Sequence, residues 1–304
     1  MRFDWYEGAI LADPVIVLDE VRKLGHTLKQ CDGLARSRNF RQGFQVHHNE
    51  LGNVATLLMG GNDRKDARPY LYAWSSSDNT DNYVSLVRDK FPHDHLVSRA
   101  DPAEDFIEEG VTKRMLPVMK RVAKKYRLKF ARRMDMIDKT AGLTQYMGAD
   151  SSDYKVRGYE KGYEQIGKID AVLGRKGFKA DPANIMLTNT QTGEMIRPQD
   201  WFRLELQMRP RQEDARRLLA SLSPQEAWGC TLWTQELALE AMALDLERVV
   251  MRTKKNTPLD ESIAWACRMY GPLFVELVQL RGIEGAMRHL LDVHRQQQAR
   301  KAVT

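Results

Sequence analysis

The segment Trp201–Arg209 alternates apolar and polar side chains without interruption. Its apolar members are Phe202, Leu204, Leu206 and Met208, and its polar members are Arg203, Glu205, Gln207 and Arg209. Successive side chains of a strand point to opposite faces of a sheet, so this pattern predicts a strand with one buried and one polar face. Such a strand does not fit the centre of a sheet that helices cover on both sides.

Two earlier segments show a related separation of faces. One face of the predicted strand Val97–Phe106 carries Arg99, Asp101, Ala103 and Asp105, and one face of the predicted strand Tyr154–Tyr163 carries Lys155, Arg157, Tyr159 and Lys161. Further extended segments are predicted at Phe3–Ile10, Gly43–His48, Asn53–Met59, Pro69–Trp74, Lys129–Met136 and Leu143–Met147. We therefore expect a sheet, antiparallel in its half-exposed strands, with one polar face.

Helical signals lie around and after these strands. Asp13 and Pro14 predict the start of a helix that runs to Gly25, and Ser75–Asn82 is expected to cap a short helix through Val87. The segment Val111–Met134 has no acidic residue, and the spacing of Met115, Met119, Val122 and Tyr126 predicts an amphipathic helix in it.

The pattern becomes helical beyond Pro210. Helices are predicted within Gln212–Leu222, Pro224–Arg252 and Leu259–Gln298. The predicted fold class is thus α+β, with an antiparallel sheet backed by helices and a C-terminal all-helical unit. We expect a first domain over residues 1–210 and a second over residues 211–304.

Composition limits the class of protein. The chain has 304 residues with a net charge of +6, and no segment has the roughly 18 consecutive apolar residues that a membrane span needs. The first residues do not resemble a secretory signal, and Cys31, Cys230 and Cys267 fit neither a disulfide framework nor a thiolate zinc site. We expect a cytoplasmic protein with reduced thiols, no membrane partner and some preference for a polyanion.

The polar face has the composition of a metal and phosphate site. Asp101, Asp105 and Glu205 are candidate ligands of a hard divalent cation, Mg²⁺ or Mn²⁺, although Pro102 leaves open which of Asp101, Glu104 and Asp105 reaches it. Candidate phosphate contacts are Arg99, Arg157 and Arg203 on the strands, and Lys120, Lys124 and Arg127 in the basic segment. The alternative is that the strands carry only cross-strand ion pairs and that the basic segment is a solvated face.

Tyr159 is the candidate nucleophile of this face. A phenol with a pKa of about 10 attacks poorly unless a cation or a base assists its ionisation. Lys161, two residues further along the same predicted face, is the candidate helper. Taken alone, a tyrosine in a strand is more often a packing residue.

Histidines offer a weaker alternative. His93 and His95 flank Asp94, whereas nucleases of the HUH class bind metal through two histidines that flank a hydrophobic residue. His47 and His48 are adjacent, so in a strand they point to opposite faces. We interpret both pairs as structural.

Three motifs, in this order, resemble the replication initiator family of filamentous phages and small staphylococcal rolling-circle plasmids. The segment from Arg99 to Phe106 resembles its Arg-x-Asp-x-Ala-x-Asp strand. Tyr146 to Gly162 resembles its Tyr-x-Gly-Ser turn followed by Arg-x-Tyr-x-Lys-Gly. Arg203-Leu-Glu205-Leu-Gln207 resembles its Arg-x-Glu-x-Gln strand. Ala149, Gly158 and Pro102 depart from the family pattern.

The resemblance, which spans about residues 3–209, implies a five-stranded antiparallel sheet related to the HUH nucleases, with carboxylates in place of their histidines. It also implies an endonuclease in which Tyr159 attacks a phosphate at a replication origin and leaves a 5′-phosphotyrosine and a 3′-hydroxyl primer. The expected partners are single-stranded or locally melted origin DNA, a host helicase or polymerase, and a second copy of the chain.

Two other functions stay open on the sequence. One is a non-enzymatic DNA-binding regulator of replication or transcription that uses the basic segment and the helical tail. The other is a transposase or mobilisation relaxase of similar chemistry. The acceptor for strand closure is also open among Tyr163, Tyr154, a second subunit and water.

Overall fold

The alternating segments pair into one large antiparallel sheet. The computed structural model describes residues 1–61, 70–76, 79–134, 142–174, 181–182, 184–189, 192–251 and 258–301. Its strands are β1 (Arg2–Ile10), β2 (Thr27–Gln30), β3 (Phe40–His48), β4 (Gly52–Gly61), β5 (Leu71–Ser76), β6 (His95–Ile107), β7 (Phe130–Met134), β8 (Leu143–Met147), β9 (Tyr154–Glu160), β10 (Leu187–Thr188), β11 (Met195–Ile196) and β12 (Trp201–Met208). All except the small β10–β11 ribbon belong to the same sheet.

The helices are α1 (Pro14–Lys23), α2 (Asp32–Ser37), α3 (Thr80–Lys90), α4 (Val111–Lys125), α5 (Lys161–Leu173), α6 (Glu213–Ser221), α7 (Pro224–Ala227), α8 (Leu232–Met242) and α9 (Pro258–Lys301). Short 3-10 turns occupy Pro198–Asp200 and Trp228–Cys230. The chain forms two compact units, Met1–Thr253 and Lys254–Thr304. The α+β class with a helix-backed antiparallel sheet is confirmed.

The sheet repeats one topology twice. Its order is β2-β3-β4-β5-β1-β6-β12-β9-β8-β7, and every described pairing is antiparallel. From the centre outward, β1, β5, β4, β3 and β2 in one half correspond to β6, β12, β9, β8 and β7 in the other. The ten described strands of the large sheet thus form two five-stranded halves joined by the β1–β6 pair, whereas the motif resemblance implies only five strands.

One face of the sheet is covered by the main hydrophobic core. Helices α1, α3, α4, α6 and α8 contribute buried side chains to this core, with Val17, Val87, Met119, Leu219 and Leu237 as one example from each. The apolar residues of β12, Phe202 to Met208 at alternate positions, are all fully buried in the same core. The predicted separation of faces in β12 is therefore confirmed, and the opposite face of the sheet, which we call the open face, carries the polar residues of β12. Two helices cover parts of this face, α2 through Ala35 beside Leu58 and Trp74, and α5 through Ile166 beside Trp201.

The helices that follow β12 extend this core. Leu219 of α6 and Leu237 of α8 are buried with the sheet residues, as is Trp228 between them. The first compact unit therefore continues to Thr253, beyond the expected domain boundary after residue 210. The predicted helix to Arg252 is wrong beyond Met242, because Ala243 adopts a left-handed conformation and the chain then runs without helix through residue 251.

The second unit, Lys254–Thr304, contains helix α9. Its helix α9 is interrupted at Gly282, which has a φ of 66° and a ψ of 170°. Among the helices that the structure describes, none has both the length and the apolar composition that crossing a bilayer requires.

The second half of the sheet differs from prediction where β9 ends. The strand stops at Glu160 and α5 begins at Lys161, so the strand predicted through Tyr163 is too long. Ile166 and Ile169 of this helix pack with Leu187 and Trp201, which explains why the segment is helical. Gly162 is required at the start of α5, because a Cβ there would lie 2.2 Å from the Pro198 carbonyl oxygen.

Gly162→Ala should lower the free energy of unfolding by about 1–3 kcal/mol, because the Pro198 backbone must move away from the new methyl group. Gly167→Ala in the same helix is the matched control, since a Cβ there meets nothing within 4 Å. This control should raise the free energy of unfolding by about 0.5–1 kcal/mol. Urea denaturation of the two variants measures both changes, and equal effects would contradict the packing described for Gly162.

Candidate active site

The register of three strands brings the predicted polar residues together on the open face. In the pairing of β12 with β9, Arg203 lies opposite Tyr159 and Glu205 lies opposite Arg157. In the pairing of β12 with β6, Arg203 lies opposite Asp105. Residues directly opposite each other in a ladder share a face, so these side chains form one cluster.

Arg203 is the buried centre of this cluster, with 1% of its surface exposed. Its Nε and one terminal nitrogen donate to the two carboxylate oxygens of Asp105, at 2.7 and 2.5 Å, and its other terminal nitrogen donates to Asp4. Trp201 Nε1 also donates to Asp105, at 3.0 Å. Burial opposes ionisation of Asp105, but the hydrogen bonds and charge of Arg203 outweigh it and hold the pKa of Asp105 below its usual range.

Asp101 and Glu205 form a separate pair of buried carboxyl groups. Their exposed fractions are 1% and 2%, and the two groups are hydrogen-bonding neighbours. Arg99 donates to both oxygens of Asp101, and an Arg157 terminal nitrogen donates to Glu205 at 2.5 Å. Burial, together with the nearby Glu205 charge, raises the pKa of Asp101 to about 7.

Tyr159 lies beside this carboxyl pair. Its hydroxyl oxygen is 3.5 Å from Glu205 Oε2, and the Arg157 guanidinium lies 4.5 Å from the centre of its ring. The side chain is buried, and burial followed by the Glu205 charge raises the pKa of Tyr159 well above its usual value. Without a further cation or a base, this phenol is a poor nucleophile.

Lys161 supplies the nearest amine. Its Nζ is 3.5 Å from the Tyr159 hydroxyl and 2.9 Å from Glu164 Oε1. Burial, with the charge of Arg203 as a second cause, lowers the pKa of Lys161. Although Lys161 begins a helix and does not continue the strand, its amine still reaches the tyrosine, as the sequence predicted.

The predicted metal ligands do not all meet. Asp105 is engaged by Arg203, and Glu104 lies opposite Leu204, on the other face of β6 from Asp101. Within the described residues, no group of three histidine, cysteine or acidic side chains could hold a metal ion. The residues that fit a hard cation are Asp101 and Glu205, because two buried carboxyl groups in contact repel each other unless a proton or a cation lies between them.

The predicted phosphate contacts divide into two groups. Arg99, Arg157 and Arg203 belong to the cluster, whereas Lys120, Lys124 and Arg127 are exposed on α4 and just after it. Helix α4 covers the core face, since Met119 lies within 2.5 Å of where a Cβ of Gly158 would be. The structure therefore does not bring these three basic residues to the open face.

Four contributors to the site were missed at the sequence level: Asp4, Trp201, Glu164 and Glu7. Asp4 lies at an irregularity of the β1–β6 pairing, and Glu164 lies in the unpredicted helix α5. Of these four, only Trp201 had a signal in the sequence, because it shares the polar alternation of β12 with Arg203.

The histidine interpretation is confirmed for His95. Its side chain is 4% exposed, with Nε2 2.9 Å from the Tyr6 hydroxyl and Nδ1 3.0 Å from the Phe91 carbonyl oxygen. His93 is exposed. His95 is therefore a core residue with both ring nitrogens engaged.

Comparison with known proteins finds a similarity to a solved structure. No family model and no curated protein matches the chain. Among solved structures, the chain is similar to one described as a rolling circle replication initiator protein from Geobacillus stearothermophilus, with 15% sequence identity and a TM-score of 0.44. The similarity covers 83% of this chain and 98% of that one.

Burial lowers the pKa of His95, with a smaller contribution from the charge of Arg88. The folded state then binds fewer protons than the unfolded state, so the stability that neutral His95 contributes is present above pH 6.5 and is lost as the pH falls. The loss should be about 1.4 kcal/mol for each unit by which the pKa is lowered. In urea titrations between pH 7.5 and 5, His95→Gln should show a weaker pH dependence than the parent protein, whereas His93→Gln should not. Parallel curves for all three would rule out a buried neutral His95.

Proposed function

We propose that the protein is a rolling-circle replication initiator that nicks one strand of origin DNA, with Tyr159 as the nucleophile. The observation that carries this proposal is the convergence of three motif residues at one phenolic hydroxyl. The Tyr159 hydroxyl oxygen lies 3.5 Å from Lys161 Nζ and 3.5 Å from Glu205 Oε2. Glu205 lies on β12, far along the chain from Tyr159 and Lys161, so only the folded chain brings it to the other two. Metal-assisted phosphodiester cleavage by a tyrosine uses such a set: a nucleophile, a proton acceptor and a carboxylate that can hold the cation.

The proposed reaction proceeds at phosphorus. The Tyr159 oxygen forms a bond to phosphorus while the bond from phosphorus to the 3′-oxygen breaks, and the departing 3′-oxygen leaves as a hydroxyl after it gains a proton. Lys161 accepts the phenolic proton, a role that suits an amine whose pKa is lowered. Arg157, stacked over the Tyr159 ring, stabilises the developing negative charge.

Asp101 and Glu205 are the residues that would hold a divalent cation, Mg²⁺ or Mn²⁺. Such an ion, when bound, polarises the scissile phosphate. Neutralisation of the Glu205 charge also removes one cause of the raised pKa of Tyr159. Arg203 and Asp105 have a different role, because they hold β12, β6 and β1 in register around the site.

A non-enzymatic DNA-binding regulator fits these observations less well. A surface that only binds phosphates has no need for buried charge, and burial of Asp101, Arg203 and Glu205 costs free energy that their pairing only partly offsets. A transposase or relaxase would share the chemistry. The choice of a replication origin as substrate follows from the motif resemblance.

The proposed partners follow from the reaction. The substrate is single-stranded or locally melted origin DNA, and a host polymerase extends the 3′-hydroxyl. A host helicase and a second copy of the chain are further proposed partners.

For strand closure, Tyr163 is preferred to Tyr154 within the chain, because Tyr154 packs against the hydrophobic core. Water and a second subunit remain the other acceptors.

Tyr159→Phe should abolish the covalent adduct with a labelled single-stranded oligonucleotide that contains the origin, because the attacking oxygen is removed. Tyr163→Phe and Tyr154→Phe are matched controls and should form the first adduct at the parental level. Denaturing gel electrophoresis detects the adduct, and mass spectrometry identifies the modified residue. An adduct of undiminished yield in Tyr159→Phe would remove Tyr159 from the proposed role.

Asp101→Asn and Glu205→Gln should each weaken Mn²⁺ binding by at least the ~10-fold typical for loss of a group that supports a metal site. Asp105→Asn is the informative comparison, since Asp105 is occupied by Arg203 and should leave Mn²⁺ affinity nearly unchanged. Calorimetric titration of the DNA-free protein measures these affinities, and EDTA should abolish nicking by the parent. Strong loss of Mn²⁺ binding in Asp105→Asn alone would assign the cation to the Arg203 cluster instead.

A further inference from the structure

The open face of the first half of the sheet carries a band of aromatic side chains. We call Trp5, Phe40, Tyr70, Tyr72 and Trp74 the aromatic band. Trp5 lies on β1, Phe40 begins β3, Tyr72 and Trp74 lie on β5, and Tyr70 immediately precedes β5. Trp74 is 9% exposed, and the other four side chains are half-buried.

The band shares its face with the candidate active site. In the β1–β6 pairing, Trp5 lies opposite Asp101 and Glu7 lies opposite Arg99. In the β1–β5 pairing, Glu7 lies opposite Trp74. Side chains at opposed positions share a face, so the face that holds Asp101 continues through Trp5 into the band.

The rings are held in fixed orientations. Phe40 stacks on Tyr72 with an interplanar angle of 22° and a centroid distance of 5.7 Å, and Tyr70 packs edge-on against Phe40 at 6.3 Å. The Glu7 carboxylate accepts from Trp5 Nε1 at 2.7 Å and from the Tyr72 hydroxyl. Glu7 is thus the anion of the band, and its hydrogen bonds orient two of the rings.

Guanidinium groups lie over the two tryptophans of the band. Arg38 is 4.3 Å from the centre of the Trp74 ring, and Arg99 is 4.6 Å from the centre of the Trp5 ring. Arg99 also donates to Asp101, so one side chain connects the band to the carboxyl pair of the active site. Arg38 and Arg41 beside the band are exposed.

We propose that the aromatic band binds the bases of single-stranded DNA that flanks the nicked phosphate. Aromatic rings next to cations form the surface on which proteins stack unpaired bases without reading their sequence. Neighbouring strands lie ~4.8 Å apart, so the three strand spacings from β1 to β3 give a path of roughly 14 Å that starts beside Asp101. This path has the length of a few nucleotides and begins where the proposed chemistry takes place.

The duplicated topology supports this assignment. Strands β5 and β12 occupy corresponding places in the two halves, and their open-face residues are Tyr72 and Trp74 in one and Arg203 and Glu205 in the other. The two halves therefore present different chemistry at the same structural position. One half has the groups that act on a phosphate, and the other has the groups that hold bases.

The test measures DNA binding separately from nicking, since the inference deepens the proposed function and rests on it for the identity of the DNA. All variants carry Tyr159→Phe and are assayed in EDTA, by fluorescence anisotropy with labelled oligo(dT) of increasing length. Phe40→Leu and Tyr72→Leu should each weaken binding of the longer oligonucleotides by at least about fivefold. Trp233→Leu on α8 is the control for an aromatic residue on the helix side and should bind as the parent does.

A second measurement locates the bases. Oligo(dT) that contains 5-iododeoxyuridine should photocrosslink to Trp5, Phe40 or Tyr72 in the parent, and the crosslinked peptide is identified by mass spectrometry. Unchanged affinity of thermally stable Phe40→Leu and Tyr72→Leu variants, or crosslinks confined to other segments, would overturn the inference. If the band variants lose binding while the parent protein, with Tyr159 intact and Mn²⁺ present, forms no covalent adduct, the band is supported and only the nicking proposal is refuted.

Discussion

The buried guanidinium of Arg203 is the interaction on which the rest of the site depends. It hydrogen-bonds to Asp105 of β6 and to Asp4 of β1, so one side chain of β12 links three adjacent strands. Its charge also lowers the pKa of Lys161 and partly offsets the effect of Glu205 on Tyr159. Burial of this cation without its two carboxylate partners would be strongly destabilising.

That requirement separates the acidic residues by role. The sequence predicted Asp101, Asp105 and Glu205 as one set, because their spacing places them on a common face. The face was predicted correctly, but spacing within one strand does not determine the partner on the next. Asp105 lies opposite Arg203 while Glu205 lies opposite Ala103, and this register leaves Asp101 and Glu205 as the carboxyl pair beside Tyr159. Arg203, which was predicted as a phosphate contact, is paired in the folded chain with Asp105 and Asp4.

The parts of the fold that were predictable are those in which the local pattern matches the tertiary environment. The apolar side chains of β12 alternate with polar ones from Phe202 onward and all lie in the main core, and α1 starts at Pro14 directly after its Asp13 cap. Helix α5 was not predictable in this way, because its start depends on contact of Gly162 with Pro198, which lies far along the chain. The basic residues of α4 show the same limit. Their spacing defines a charged face, but the packing of Met119 behind Gly158 decides that this face points away from the tyrosine.

The repeated topology explains how one sheet can serve both chemistry and binding. Both halves bury one side of the sheet against the helices of the main core, so the residues that differ in chemistry between the halves lie on the opposite, open face. In the second half, the charged side chains of that face pair with one another, and this pairing holds them in fixed positions. In the first half it carries aromatic rings, which contact one another and the guanidinium groups of Arg38 and Arg99, and of which Phe40 and Tyr72 are only half-buried. Arg99 contacts both Trp5 of the first half and Asp101 of the second. A ligand bound to the aromatic band would therefore lie only one side chain away from the carboxyl pair.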